Sequence, residues 1–349
     1  MKGYGIIEIG KGGWLEKDVP QIGALDALLR PIAVAPCSSD VHILHGSLGP
    51  MSNRIVGHEA IGEIVDVGTN IKKFKKGDRV VIPCVTPDWE MTSVQGKYSS
   101  HDTGLMGSIK FVGQKDGVFA EYFTVNNADA NLAFLPDDIS YESALMAVDM
   151  MSTGFHGVEL ADIGFGDTVA IIGIGPVGLM AVAGARLGGA GKIIGVGTRP
   201  DCVKLALEYG ANEIVSYKKG DIVEQILDIA DGEVDSVIIA GGTKDTVAQA
   251  MKMVKNGGII SNIAMYDIND TISFPASDWG MGMSNKQLKC GFCPGGGLRM
   301  EKMLAMIQSK AIDPSKMVSH KFHGFEQIED AFVLMGDKTP DVIKPVVVI

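Results

Sequence analysis

The 349-residue chain is short of cysteine, of aromatic side chains and of basic charge. Its five cysteines, at 37, 84, 202, 290 and 293, are an odd number, and so few thiols in a long chain do not make a disulfide framework. Cys290 and Cys293 have the C-x-x-C form. No second pair completes a zinc knuckle, however, and the context is not that of a thioredoxin-like motif, so two reduced thiols are expected. The 31 Lys and Arg fall short of the 42 Asp and Glu, for a net charge of −11 with neutral histidines. Without basic runs, nucleic acid and anionic membrane are not expected partners. The opening MKGYGIIEIGKGG has its apolar run broken by Glu8 and glycines, which is not a signal-peptide pattern. The uncharged stretch 168–185 nearly spans a bilayer, but four glycines and Pro176 argue against a membrane helix. A soluble, cytoplasmic protein with room for two domains is the expectation.

What is present centres on residues 167–199, DTVAIIGIGPVGLMAVAGARLGGAGKIIGVGTR. A β-branched run, Thr168 to Ile172, precedes Gly173, Gly175 and Gly178 in G-x-G-x-x-G spacing. A helical run from Val177 to Leu187 and a second strand, Ile193 to Val196, follow. In a strand–turn–helix–strand unit of this kind the glycines allow a tight turn and a close approach of backbone to a pyrophosphate, which faces the helix N-terminus. About 20 residues further on, an NAD site usually offers an acidic residue to the ribose 2′-hydroxyl. Gly197, Thr198 and Arg199 stand there instead. A glycine makes room for a 2′-phosphate and a guanidinium binds one, so NADP is expected over NAD.

The flanking sequence differs. Before residue 150, short β-rich segments such as Ala27–Val34, Ala60–Val67 and Arg79–Ile82 recur between glycine turns and suggest a small, irregular barrel-like domain, with 86–117 read as a long excursion. From 152 to 293 strands and helices alternate, which predicts a doubly wound parallel sheet. Helices are expected at Leu298–Ser309 and Gln327–Met335, with a last strand over 344–349. Three places before Gly173 carry candidate metal ligands: Cys37 in APCSSD, His58 and Glu59 in GHEAIGEIVDVG, and Asp149 in AVDMMSTGFHG. A thiolate, an imidazole and carboxylates suit zinc, yet their wide separation leaves a buried thiol and a packed histidine as open alternatives.

GHEAIGEIVDVG, GDRV at 77–80 and GIGPVG at 173–178 together resemble the zinc-dependent medium-chain alcohol dehydrogenases, in order and interval over the whole chain. APCSSDVH, TPDW, MSTGFHGVELADI, GPVGLMAVAGA and CPGGGLRMEK are similar, more narrowly, to the NADP-dependent secondary-alcohol dehydrogenases of bacteria and some anaerobic protists. The resemblance implies an α/β chain with two parts. A GroES-like β-barrel catalytic domain would comprise 1–151 and 294–349, and a Rossmann NADP-binding domain 152–293, with zinc in the cleft between them. It places Cys37, His58 and Asp149 on the zinc ligands and Glu59 on a carboxylate that ligates or stays just outside. Ser39 falls on the hydroxyl that hands on the alcohol proton, and His42 on the relay beyond it. Ile174, Gly175, Pro176, Val177 and Gly178 match the pyrophosphate turn, and Gly197, Thr198, Arg199 and Tyr217 the 2′-phosphate and adenine side. Ile263, Ala264, Met265 and Lys338 fall on further cofactor contacts.

No cysteine lies between Cys84 and Cys202, so the four-cysteine structural zinc of many relatives is expected to be absent, leaving one catalytic zinc. Ile109 and Met265 replace aromatic pocket residues common in the branch, and Cys84 is a further pocket candidate. The expected reaction is reversible oxidation of a small secondary alcohol to a ketone with NADP(H), in a homotetramer. The alternatives are a polyol or primary-alcohol/aldehyde reductase of the same fold, or a non-catalytic NADPH-binding protein.

Overall fold

The computed structural model describes residues 1–95 and 110–349. They form two units, one of Met1–Ser152 with Phe292–Ile349 and the other of Thr153–Gly291.

The first unit opens with a hairpin, β1 (Lys2–Glu8) and β2 (Lys11–Glu16). It continues through β3 (Ala27–Val34), helix α1 (Ser38–Leu44), β4 (Arg54–Ile55), β5 (Ala60–Val67), β6 (Arg79–Ile82), β7 (Phe123–Val125) and β8 (Ala133–Phe134). β3 and β5 pair antiparallel from Ala27 against Val67 to Val34 against Ala60. Their buried Leu29, Ile61 and Ile64 face the core with Phe119 and Phe123, each such side chain contributing about 1.5–3 kcal/mol when fully buried. Helix α2 (Tyr141–Met146) is capped by Ser140, whose hydroxyl accepts from Ser143 N at 3.2 Å. It runs through a π-helical turn, Ala147–Met151, into α3 (Ser152–Ala161). The Ser152 hydroxyl donates to Ala147 O at 2.9 Å across the widened turn.

The second unit alternates as the sequence predicts. β9 (Thr168–Ile172), α4 (Pro176–Gly188), β10 (Lys192–Val196), α5 (Pro200–Glu208) and β11 (Glu213–Val215) are followed by α6 (Ile222–Ala230), β12 (Val234–Ile239), α7 (Thr246–Met253), β13 (Val254–Asn262) and β14 (Gln287–Cys290). The strands are parallel in the order β11-β10-β9-β12-β13-β14. This is the order of dinucleotide-binding sheets, with the first and fourth strands side by side at the switch point. One face packs Ile172, Ile194, Val196, Val237 and Ile239 against Ile226 and Met251 of the helices. β14 was not expected, because Gln-Leu-Lys-Cys has neither an apolar run nor a buried face.

The chain then returns to the first unit with α8 (Gly297–Gln308), β15 (Val318–His323), α9 (Ile328–Asp337) and β16 (Lys344–Val348). β16 lies between β15 and β3 in a seven-stranded sheet ordered β15-β16-β3-β5-β6-β8, with β7 also on β3.

Candidate active site

Cys37 sits at the N-cap of α1, just beyond β3, and Glu59 immediately precedes β5. Ala35 N donates to Glu59 O at 3.3 Å, so strand pairing sets these two ligand-bearing segments side by side. Asp40, wholly buried in the first turn of α1, fastens them further. Its carboxylate accepts from Cys37 N at 3.0 Å and from Gly57 N at 3.1 Å, and lies 3.0 Å from His58 Nδ1. An acidic residue three positions into a helix that reaches back to the cap is a local sequence pattern, and it was the signal that could have identified Asp40. With Nδ1–H donated to Asp40, Nε2 is the nitrogen available to a metal. Asp149 comes from the π-helical turn, an element enriched at functional sites.

One ligand atom each from Cys37, His58, Glu59 and Asp149 lies within 4.8 Å of the others. Asp149 Oδ2 is 3.4 Å from His58 Nε2 and 3.7 Å from Cys37 Sγ. Bonds of about 2.0–2.3 Å from a tetrahedral zinc separate its ligands by roughly 3.3–3.8 Å, so these spacings fit one ion. A second observation agrees: Glu59 is buried and its Oε2 has no hydrogen-bond partner among the described residues. Burial works against a charge on His58, but the Asp40 carboxylate and hydrogen bonds to Asp149, Asp40 and Cys37 hold the imidazole well above its usual range. Burial pushes Glu59 up to about 7 against the pull of Lys344. Burial likewise opposes the charge on Lys344, yet Glu59, Cys37 and Asp149 hold it at about 12. Replacement of Asp40 by Asn should lower zinc affinity about 10–100-fold, as loss of a ligand-orienting carboxylate does. Competition with a chromogenic chelator measures this; unchanged affinity would reduce Asp40 to a fastener of α1.

Ser39 Oγ lies 3.5 Å from His58 Nε2. His42 is one helical turn further along α1, on the same face by its spacing. Partial burial and the neighbouring Lys338 and His45 hold its pKa below the ordinary histidine value, so the ring is neutral at pH 7 although its outer edge is exposed. Cys84 Sγ stands 3.8 Å from Asp149 Oδ1 and 3.5 Å from Cys293 Sγ. Its hydrogen bond to Cys293, with burial, pushes the thiol well above its usual range and keeps it protonated. The Cys84–Cys293 contact, like Lys344, is not legible from spacing. Ile109 lies outside the described residues, as does much of the lobe where a structural zinc would sit.

In the second unit, Gly173 takes φ +91° and a Cβ there would stand 2.9 Å from Gly241 N. A Cβ on Gly178 would fall 1.7 Å from Gly173 O. No side chain fits at either position. At Gly175 the nearest heavy atom to a would-be Cβ is Arg199 Nη2, at 3.4 Å. The guanidinium therefore lies over open space beside the glycine turn, where a phosphate can approach the backbone. Pro176 starts α4 at a position that needs no N–H, and Ile174 is buried under the turn. Thr198 Oγ1 donates to Tyr217 Oη at 2.7 Å, which brings Tyr217 to the end of β10 beside Gly197 and Arg199. Ile263, Ala264 and Met265 follow β13 at the carboxyl edge of the sheet, the side where such sheets bind ligands. Lys338 belongs to the first unit, in a left-handed conformation at the end of α9.

Residues 23–137 match the family described as alcohol dehydrogenase GroES-like domain, and residues 176–309 that described as zinc-binding dehydrogenase. The NADP-dependent isopropanol dehydrogenase of Thermoanaerobacter brockii is 54% identical, covering 100% of both chains. That of Entamoeba histolytica is 53% identical over 99% of this chain and 95% of its own. Among solved structures, zinc dependent alcohol dehydrogenase 2 from Streptococcus pneumonia in its apo form superposes with a TM-score of 0.90 at 29% identity, covering 99% of this chain and 98% of that one. The fold is a Rossmann sheet with a GroES-like domain, and the chain belongs to the zinc-dependent medium-chain alcohol dehydrogenases, in their NADP-dependent secondary-alcohol branch.

Proposed function

We propose that the chain catalyses reversible, NADP-dependent oxidation of small secondary alcohols to ketones at a single catalytic zinc. The carrying observation is the convergence of Cys37, His58, Glu59 and Asp149 within 4.8 Å, with a serine hydroxyl 3.5 Å from one of them. In this reading residues 1–151 and 294–349 form the catalytic domain and 152–293 the NADP-binding domain. The protein is a cytoplasmic homotetramer without a structural zinc. The exposed Trp279, Met281 and Met283, near the open edge strand β14, are apolar surface suited to a second copy.

When bound, zinc supplies Lewis acidity that eases loss of the alcohol proton, and NADP supplies the hydride acceptor. Cys37, His58 and Asp149 would hold the ion. Ser39 Oγ receives the proton and passes it along α1 to His42, whose neutral ring accepts it and whose exposed edge releases it to water. The reverse path delivers a proton to the nascent alkoxide during ketone reduction. Cys84, as a neutral thiol beside Asp149, presents a poorly polar wall that suits short, poorly hydroxylated substrates over polyols. Ile174 to Gly178 cradle the pyrophosphate, Ile263, Ala264, Met265 and Lys338 add contacts, and Arg199, with Gly197, Thr198 and Tyr217, receives the 2′-phosphate.

The test is zinc content per chain together with 2-propanol oxidation using NADP and NAD. About one zinc and a strong preference for NADP support the reading. Zinc without turnover of secondary alcohols moves the search to polyols and aldehydes, and no zinc with no turnover favours a binding protein. Arg199→Ala should raise KM for NADP by about 10–100-fold, the worth of charged hydrogen bonds at roughly 1.5–3 kcal/mol, and leave KM for NAD nearly unchanged. Equal effects on both cofactors would remove the 2′-phosphate role.

A further inference from the structure

Four candidate ligands are one more than a catalytic zinc uses, since such sites keep a position open for substrate. Glu59 differs from the rest in having a built-in alternative. Its Oε1 accepts from Lys344 Nζ at 2.5 Å, while Oε2 has no hydrogen-bond partner among the described residues. Both side chains are wholly buried. Lys344 is the first residue of β16, fixed by its pairing against Val318 of β15, so the ammonium is delivered from a strand that otherwise has no part in the site. Two charges are costly to bury unless each has a partner, and Glu59 has two possible cations, the lysine and the metal, on its two oxygens.

We infer that Lys344 is a positioning residue that competes with the metal for Glu59, and so keeps Glu59 an exchangeable ligand rather than a fixed fourth one. The inference rests on the zinc reading of Cys37, His58 and Asp149. While Glu59 stays with Lys344, the fourth position is open; when substrate leaves, the free oxygen closes the site against loss of the ion. Without the lysine, the buried carboxylate has the metal as its one remaining cation and stays on it.

The test uses zinc-loaded protein and follows release of zinc to 4-(2-pyridylazo)resorcinol, with steady-state oxidation of 2-propanol in parallel. Lys344→Met should release zinc at least fivefold more slowly than wild type, and its kcat/KM should fall at least tenfold, with KM for the alcohol raised. A loss of packing alone would loosen the site and speed release, so the slower rate is the distinguishing sign. Adding Glu59→Gln to Lys344→Met should return release to the wild-type rate or beyond, because no carboxylate remains to close the site. Unchanged or faster release from a folded, NADPH-binding Lys344→Met protein overturns the inference. If that variant does not fold, Lys344→Gln decides by the same criterion. A wild-type protein that holds no zinc removes the metal reading itself and this inference with it, an outcome separate from zinc-loaded variants that release like wild type.

Discussion

Replacing Cys37 by Ser is expected to reduce turnover by about three orders of magnitude or more, while NADPH binds as in wild type. The Lewis acid is worth several kcal/mol to the reaction, and each 1.36 kcal/mol is tenfold in rate. Cys37 supplies the soft ligand of the set, and a serine hydroxyl in its place does not ionise to an equivalent anion near neutral pH. It also sits at the cap of α1, where its amide is held by Asp40 at 3.0 Å. Serine keeps that amide and is itself a favourable cap, so the helix should survive. The measurements are zinc content, NADPH fluorescence titration and initial rates. Turnover that persists with zinc absent would end the metal reading, and loss of NADPH binding would show that the damage is not local.

The second large effect is expected at Ser39. Removal of its hydroxyl in Ser39→Ala should lower kcat for alcohol oxidation by about 10²-fold or more, within the range for general acid–base groups, with zinc content and KM for NADP unchanged. Ser39→Thr, which keeps the hydroxyl, should recover much of the rate. The pH dependence follows from His42. A proton acceptor must be neutral, so oxidation rises with pH as His42 loses its proton. Burial, Lys338 and His45 move that rise below the ordinary histidine range. Reduction draws on the protonated ring and falls over the same interval. A His42→Gln variant should lose this limb of the profile. If it keeps it, the proton leaves by another route.

The two halves of the molecule were legible to different degrees, and the reasons are physical. The parallel sheet announces itself locally at its first strand, an uncharged, largely β-branched run that ends on a glycine no other residue can replace. Thr168 to Ile172 and Gly173 carry both signals within six residues. β14 escaped because an edge strand with exposed side chains has no apolar pattern to show. β15, Val-Ser-His-Lys-Phe-His, escaped for a similar reason, since none of its side chains is fully buried. The metal cluster has no local pattern at all. Cys37, His58 and Asp149 come from a helix cap, the approach to a strand and a π-helical turn; Asp40 ties the first two together, and Asp149 meets them only through its own side chain. Resemblance to a family could suggest the set, but spacing could not. Lys344 is the extreme case: a lysine that opens a strand reads as a solvated end, and its burial depends on a glutamate far earlier in the chain.

The first unit is assembled from residues on both sides of the second, and this orders events during protein synthesis. Chains fold as they emerge, N-terminal parts first. Residues 153–291 leave the ribosome as one continuous piece and can form their sheet at once. The barrel sheet must wait, because β16 enters between β3 and β15 only after the whole intervening unit has been translated. Until then the Ala33–Val34 end of β3 lacks its second partner strand, and Glu59 has no lysine beside it. Completion of the barrel sheet, and with it the Lys344–Glu59 pair, is therefore a late step in the maturation of the newly made polypeptide. A ribosome that stalls after the dinucleotide sheet would leave a chain with a finished cofactor fold and no working catalytic centre.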